Sequence, residues 1–474
     1  MIPSSSSQAP ATAAPASHTP GSQDAFRDAA EPNAAPGQSP SARTGGRFAR
    51  LPLLAGRGFI PLGLFARLPL AMLTIGALTL VTAVTGSYAV GGAAAGAVGI
   101  GSALGAPVLG ALADRLGQRP VLLFAALSHA LAVVALILAA YLIPGGQDLA
   151  GALPVLAAAW VAGASCPQVG PLARVRWMAL TSRGGREADT ADLDTALSYE
   201  GTADELTFVL GPALVGILAA AIAPWLPLAL AAALTITLVP AFAVHPTHRA
   251  VVRAPARDAA PAPTGDRRDA ATAGGRFRTV AAVALPVLAM VCMGTFFGST
   301  QASLSSFSAG FATSELAGLL YAVMGLSSAA AALSVAYWPR RFTVMARWMF
   351  CAALMAGLAV LLLLPTTALP MILVLLVLGV PVGPLMVTVF ALGGLVAPAG
   401  KLGTVMTALA SGLVAGTALG SSLAGQLAQN HGYSAAFVVP VCAAAALFLL
   451  AAGAAAVGLQ NRRTHAPAAA QTPS

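Results

Sequence analysis

The sequence predicts an all-α membrane protein in which twelve transmembrane helices form two six-helix bundles. Three observations predict it. Hydrophobic residues make up 57% of the 474 positions and charged residues 9%, with a mean hydropathy of +0.81. A soluble domain carries about 25% charged residues. Twelve apolar stretches each approach the roughly 20 residues needed to cross a bilayer. All 25 basic residues, 24 of them Arg, lie in alternate connections between those stretches or at their edges, the asymmetry that marks cytoplasmic loops.

Along the chain, residues 1–57 are rich in Pro, Ala and Ser and lack the apolar core of a secretory signal. They read as a disordered cytoplasmic tail. The first bundle, 58–245, holds spans at 66–86, 90–112, 120–143, 150–173, 204–224 and 226–245. Residues 246–278, polar and rich in Pro, Ala and Arg, have the composition of a flexible linker and form a central cytoplasmic loop. The second bundle, 279–460, holds spans at 279–303, 314–337, 346–365, 369–394, 403–428 and 435–458, and residues 461–474 form a second cytoplasmic tail. With both termini cytoplasmic, no basic residue is left for the outer loops.

The net charge of +9 does not point to nucleic acid, because the arginines sit in short clusters between apolar runs rather than on one face. Cys166, Cys292, Cys351 and Cys442 each lie inside an apolar stretch without paired spacing, so neither a metal site nor a disulfide framework is implied. No H-E-x-x-H motif is present, and the only lysine, Lys401, precedes Leu402 rather than Ser or Thr, which excludes a nucleotide-binding loop. An enzyme is therefore not expected, and no cofactor is implied.

Two patterns link the bundles. The fourth span carries "CPQVGPLARV", Cys166 to Val175, and the tenth carries "GVPVGPLMVTV", Gly379 to Val389. Pro removes an intrahelical hydrogen bond, so both helices are expected to break, and matching interruptions in two repeats point to a cavity between them. Gly412, Gly416 and Gly420 recur on one face of the eleventh helix, as Ala97, Gly101 and Gly105 do on the second. Such faces allow close packing on any neighbour, or on each other.

Between the second and third spans, "GALADRLGQRP" places Gly110, Asp114, Arg115, Gly117 and Arg119 in the spacing G-x-x-x-D-R-x-G-x-R. With two six-helix sets and a polar central loop, this resembles the major facilitator superfamily of secondary transporters. The resemblance implies the fold of that family and a cytoplasmic gate in which Asp114 faces the helix beginning near Gly403, while Arg115 and Arg119 make inter-helix ion pairs. The corresponding loop of the second set, Tyr337 to Arg347, keeps basic residues but has neither Gly nor acid, so the gate is expected to be asymmetric. On the fifth helix, Gly211, Pro212 and Gly216 match part of the signature of proton-driven drug exporters in this superfamily. The glycine doublet of the fuller pattern and the early Arg of the fourth helix are missing.

Four acids, Glu200, Asp204, Glu205 and Glu315, adjoin or enter apolar spans. A carboxylate at mid-membrane costs roughly 2.5 to 3.5 kcal/mol on insertion scales, which makes Glu205 and Asp204 candidates for proton coupling with Arg174 nearby. A second reading stays open: counting from Trp225 sets both acids near the cytoplasmic edge, where they pair structurally with Arg174 or Arg176. His129 reads as a core histidine, with a proton relay as the alternative. The resemblance implies a cavity lined by helices one, four, seven and ten, where Gln168, Gln301, Trp160, Phe296 and Phe297 are the candidate contacts.

The expectation is a monomeric, multi-pass protein of a bacterial cytoplasmic membrane. It would move a small, mostly lipophilic molecule across the lipid bilayer by alternating access, in exchange for protons. A proton-coupled importer is the alternative, and a non-transporting receptor is a more distant one. Arg dominance and abundant Ala suggest a GC-rich, actinobacterial-type genome.

Overall fold

The computed structural model describes residues 46–142, 151–182, 186–251, 268–309 and 315–464. Twelve helices in it are long and apolar enough to span a membrane: α1 Phe59–Thr85, α2 Val90–Leu116, α3 Gln118–Leu142, α4 Leu153–Thr181, α5 Thr190–Ala221 and α6 Leu226–Val244. They are followed by α7 Val280–Ala309, α8 Ala317–Tyr337, α9 Val344–Leu363, α10 Ala368–Val396, α11 Leu402–His431 and α12 Tyr433–Ala456. No strand occurs among the described residues. In lipid every backbone polar group must be satisfied inside the protein, and the spans of this apolar chain do so as helices.

Several expected boundaries move, each for a local reason. The helix that contains α5 runs from Arg186 to Ala221, well ahead of the expected start at residue 204, and Asp204 lies halfway along it. Its early residues are polar, and a search for apolar runs passes over them although they are helical. Helix α4 reaches Thr181, which places Arg174 and Arg176 inside the helix instead of at its end. The helix containing α7 starts at Arg268, within residues assigned to the linker, where Ala-rich sequence behind Asp269 favours helix.

The last part of the expected tail is also ordered. A short helix, Leu51–Ala55, buries Leu51 and Ala55 in one apolar cluster with Trp177 of α4 and Phe242 of α6. Upstream, Arg47 donates to the carbonyl of Ala336 in the second bundle and lies over the Tyr337 ring, 5.4 Å from its centroid. Residues 1–45 lie outside the described ones.

Of the two expected breaks, one forms. Helix α4 is interrupted between Ala164 and Val169, with Gln168 at φ −89°, ψ 63°, whereas α10 continues through Pro381 and Pro384. Two residues separate Pro167 from Gly170, but only Val382 separates Pro381 from Gly383. Gly379 and Gly383 also seat α10 on the backbone of α8 near Met324 and Ser328, which holds its course.

The small-residue faces pack within each bundle, not on one another. Gly101 and Gly105 lie against the Trp160 and Ala164 carbonyls of α4, and Gly416 and Gly420 against the Val291 and Thr295 carbonyls of α7. A Cβ at any of the four would strike backbone, so these seams exist only with glycine. His129 is fully buried, its Nδ1 2.8 Å from the Ala162 carbonyl, as a core histidine would be.

Candidate functional site

The end of the molecule that carries the arginines is where the two bundles are tied. Asp114, at the end of α2, accepts the backbone N–H of Gly403 at 2.8 Å and that of Thr404 at 2.7 Å, and the Thr404 hydroxyl at 2.7 Å. It thereby fills the first N–H groups of α11, which have no partner inside their own helix, and meets the positive end of the helix dipole. Gly110 makes the approach possible, since a Cβ there would meet the Thr407 hydroxyl and the Gly403 carbonyl. Gly117 ends the helix at φ 91°, a conformation that favours glycine.

The arginines of this loop behave differently from the expectation. Arg115 and Arg119 are exposed and form no ion pair among the described residues. The loop geometry gives the physical reason. Asp114 is consumed by backbone donors of α11, so neither neighbouring arginine gains it as a partner.

A second tie joins the bundles where the α8–α9 loop ends. Both terminal nitrogens of Arg347 lie 3.1 Å from Asp194 Oδ2 on α5. Here too the acid comes from the first bundle, but its partner is an arginine side chain of the second rather than a helix start. Two residues earlier, Asp192 holds Arg50 at 3.0 Å.

Deeper in, α1, α4 and α5 build a buried charge cluster. Arg67 of α1 donates to Glu200 Oε2 at 2.5 Å and to Asp204 Oδ1 at 2.8 Å. Arg174 donates to Asp204 Oδ2 at 2.6 Å, and Trp177 Nε1 to Glu200 Oε1 at 2.8 Å. Glu200 and Asp204 are four residues apart, so they share a helix face. Two carboxylates face two guanidiniums, and the charges balance as burial requires. Arg174 also lies over the Phe390 ring of α10, 3.9 Å from its centroid, a cation–π contact across the bundles.

Glu205 follows Asp204 and, one residue further round the helix, points about 100° away. It is buried, and it accepts the Ser328 hydroxyl of α8 at 2.8 Å. It makes no ion pair among the described residues. Beside it, Thr202 donates to the Ala329 carbonyl at 3.1 Å, and Gly201 lets α5 close on Val387 of α10. The two adjacent acids thus occupy opposite surroundings: Asp204 inside one bundle with two arginines, Glu205 in the seam between bundles with a hydroxyl. Arg176 pairs with no acid among the described residues. It donates to Gln118 Oε1, to the Phe242 carbonyl and to Thr247.

A cavity of about 50 Å³ opens onto this cluster, bordered by Arg67, Arg174, Asp204, Gln168, Phe208 and Phe390. That is room for one or two waters, far below the roughly 300 Å³ at which ligand pockets begin. Of the expected cavity residues only Gln168 lines the cavity. Phe296 and Phe297 are buried in the core of the second bundle, Gln301 is exposed and Trp160 is 43% exposed. On α5, Gly211 presses against Ala71 of α1, while Gly216 has open space around it.

Sequence reasoning missed Arg67, Trp177, Ser328 and Phe390 as partners. Arg67 carried a signal, a lone charge in the apolar run "GLFARLPLAML". The other three are ordinary residues of apolar helices, and only the packing of distant segments selects them.

A family model described as Major Facilitator Superfamily matches residues 59–412. No curated protein sequence matches the chain. Among solved structures, a human organic anion transporter superposes with a TM-score of 0.61 at 19% identity, covering 86% of this chain and 100% of that one. A bacterial homologue of the iron transporter ferroportin, in an outward-facing state, gives 0.64 at 12% identity, covering 84% and 98%. The E. coli fucose:proton symporter gives 0.56 at 14%, covering 84% and 99%. At these identities the likeness is one of fold.

Proposed function

The chain belongs to the Major Facilitator Superfamily, and from that premise we propose that it exports a small, mostly lipophilic molecule in exchange for protons. It is a multi-pass membrane transporter rather than an enzyme. We place its arginine-rich end in the cytoplasm of a bacterium, with both termini on that side and a monomer as the working unit.

The observation that carries the reading is Glu205. An intramembrane carboxyl without a cation partner is a natural entry point for a proton, and this one sits where α5 of one bundle meets α8 of the other. A neutral carboxyl remains in an apolar seam at lower desolvation cost than a charged one. Loading with a proton therefore favours the shut conformer, and losing it favours parting of the bundles, the differential free energy that alternating access needs. Asp204, held by two arginines, serves to bind α1, α4 and α5 together. Its salt bridges also border the cavity, where a polar end of the cargo would meet them.

Export is favoured over import by the partial helix-five signature Gly211, Pro212 and Gly216, and a lipophilic cargo by Ala71, Ala106, Phe208, Leu413 and Val414 around the cavity. The test is uptake of a compound panel into inside-out vesicles with and without a pH gradient. Gradient-dependent uptake into these vesicles is expected. Uptake confined to right-side-out vesicles would replace the antiporter by the importer.

A further inference from the structure

The segment that precedes α1 touches both bundles. Leu51 and Ala55 of the short helix Leu51–Ala55 are buried in the apolar cluster that holds Trp177 of α4 and Phe242 of α6. Just upstream, Arg50 meets Asp192 of α5 at 3.0 Å. All of these partners belong to the first bundle. Residues 47 and 48 reach further. Arg47 donates to the Ala336 carbonyl, and its guanidinium lies over the Tyr337 ring at the end of α8. Phe48 packs on the first-bundle cluster, and its ring centroid lies 6.2 Å from that of Tyr337 with the planes tilted by 57°, the separation of an attractive aromatic pair.

The two ends of this bridge are held unequally. Leu51 and Ala55 are 1% and 5% exposed, and withdrawing them would return apolar surface to water. On the far side Arg47 is exposed and Tyr337 is 58% exposed, so the grip on α8 rests on one carbonyl and one ring. The Asp114 cap and the Arg347–Asp194 pair join the bundles through residues of the bundles themselves. This third tie is made by a segment outside the twelve spanning helices, and it can be removed without altering any of them.

We propose that residues 47–50 are a detachable strap that holds the arginine-rich end shut, anchored on the first bundle at Leu51 and Ala55 and fastened to the second at Tyr337. When the bundles part at this end, the weaker grip on α8 is released and the segment stays with the first bundle. Contacts made in only one of two conformers shift the balance toward that conformer. The strap acts on opening alone, and it does so whatever the cargo, the coupled ion or the direction of transport.

A cysteine placed at Ala410, which borders the central cavity, in an otherwise cysteine-free chain reports opening. The readout is its rate of reaction with a membrane-impermeant maleimide, in vesicles that present the arginine-rich end outward. Arg47→Ala and Tyr337→Leu are each expected to raise the rate about threefold, and the two together no more than Tyr337→Leu alone. Two truncations separate the strap from the residues before it. A chain starting at Gly46 keeps the strap and is expected to react at the wild-type rate, whereas one starting at Ala49 is expected to react about threefold faster. A wild-type rate in Tyr337→Leu or in the chain starting at Ala49 overturns the proposal. Equal acceleration by the two truncations, or additive effects of Arg47→Ala and Tyr337→Leu, overturns it as well.

Discussion

The carboxylate of Asp114 accepts the backbone N–H of Thr404 at 2.7 Å, so an acid from the first bundle caps a helix of the second. Caps of this kind contribute about 0.5–2 kcal/mol. Asp114→Asn keeps the shape and loses the charge. Opening of the arginine-rich end should become about tenfold more populated, the equivalent of roughly 1.4 kcal/mol. Maleimide labelling of a cysteine placed at Ala410, beside the central cavity, in a background without the native cysteines, checks it. An unchanged labelling rate would refute the cap's role in closure.

Gly110 and Gly216 give a paired test of the small-residue positions. A Cβ at Gly110 meets the Thr407 hydroxyl and the Gly403 carbonyl, whereas one at Gly216 meets nothing within 4 Å. Gly110→Ala should lower vesicle transport more than tenfold, and Gly216→Ala should leave it within twofold. Equal effects of the two would show that the close approach of α2 to α11 is not what limits transport.

Glu205 and Asp204 should separate cleanly. Glu205→Gln retains an acceptor for Ser328 and is expected to abolish dependence on the pH gradient while sparing downhill flux. Asp204→Asn leaves Arg67 and Arg174 without half of their compensation. Breaking a buried pair in this way costs about 3–5 kcal/mol, so a loss of thermal stability by several degrees should precede any change in coupling. Gradient-driven transport that persists in Glu205→Gln would return that residue to a packing role.

The Arg347–Asp194 tie is partly exposed, with side chains 7% and 28% accessible, and exposed pairs contribute about 1 kcal/mol or less. Single substitutions to Ala should speed labelling at position 410 modestly, and the double substitution should add little beyond either one. Additive effects in this double-mutant cycle would mean that the two residues act separately.

The crossings were legible because each needs a long apolar run, and those runs alternate with arginine clusters. Asp114 was legible through its spacing to Arg115, Gly117 and Arg119. The partners of Asp204 were only half legible. Arg174 lies 30 residues away in the next helix, but Arg67 lies 137 residues away, and no local pattern encodes such a pairing. The start of the fifth helix was hidden for a related reason: the helical residues before Asp204 are polar and escape a hydropathy count. Helix α10 stays whole because Gly379 and Gly383 rest on α8, a contact between chain segments that the shared Pro-Gly-Pro pattern does not reveal.

Glycine seams join the second helix to the fourth and the fifth to the first in each bundle, through Gly101 and Gly105 on α4, Gly211 on α1, Gly379 and Gly383 on α8, and Gly416 and Gly420 on α7. If each bundle is itself an inverted pair of three-helix units, those two pairings are the same pairing seen from opposite sides. The seams would then be one contact made four times, wherever a three-helix unit meets its inverted partner.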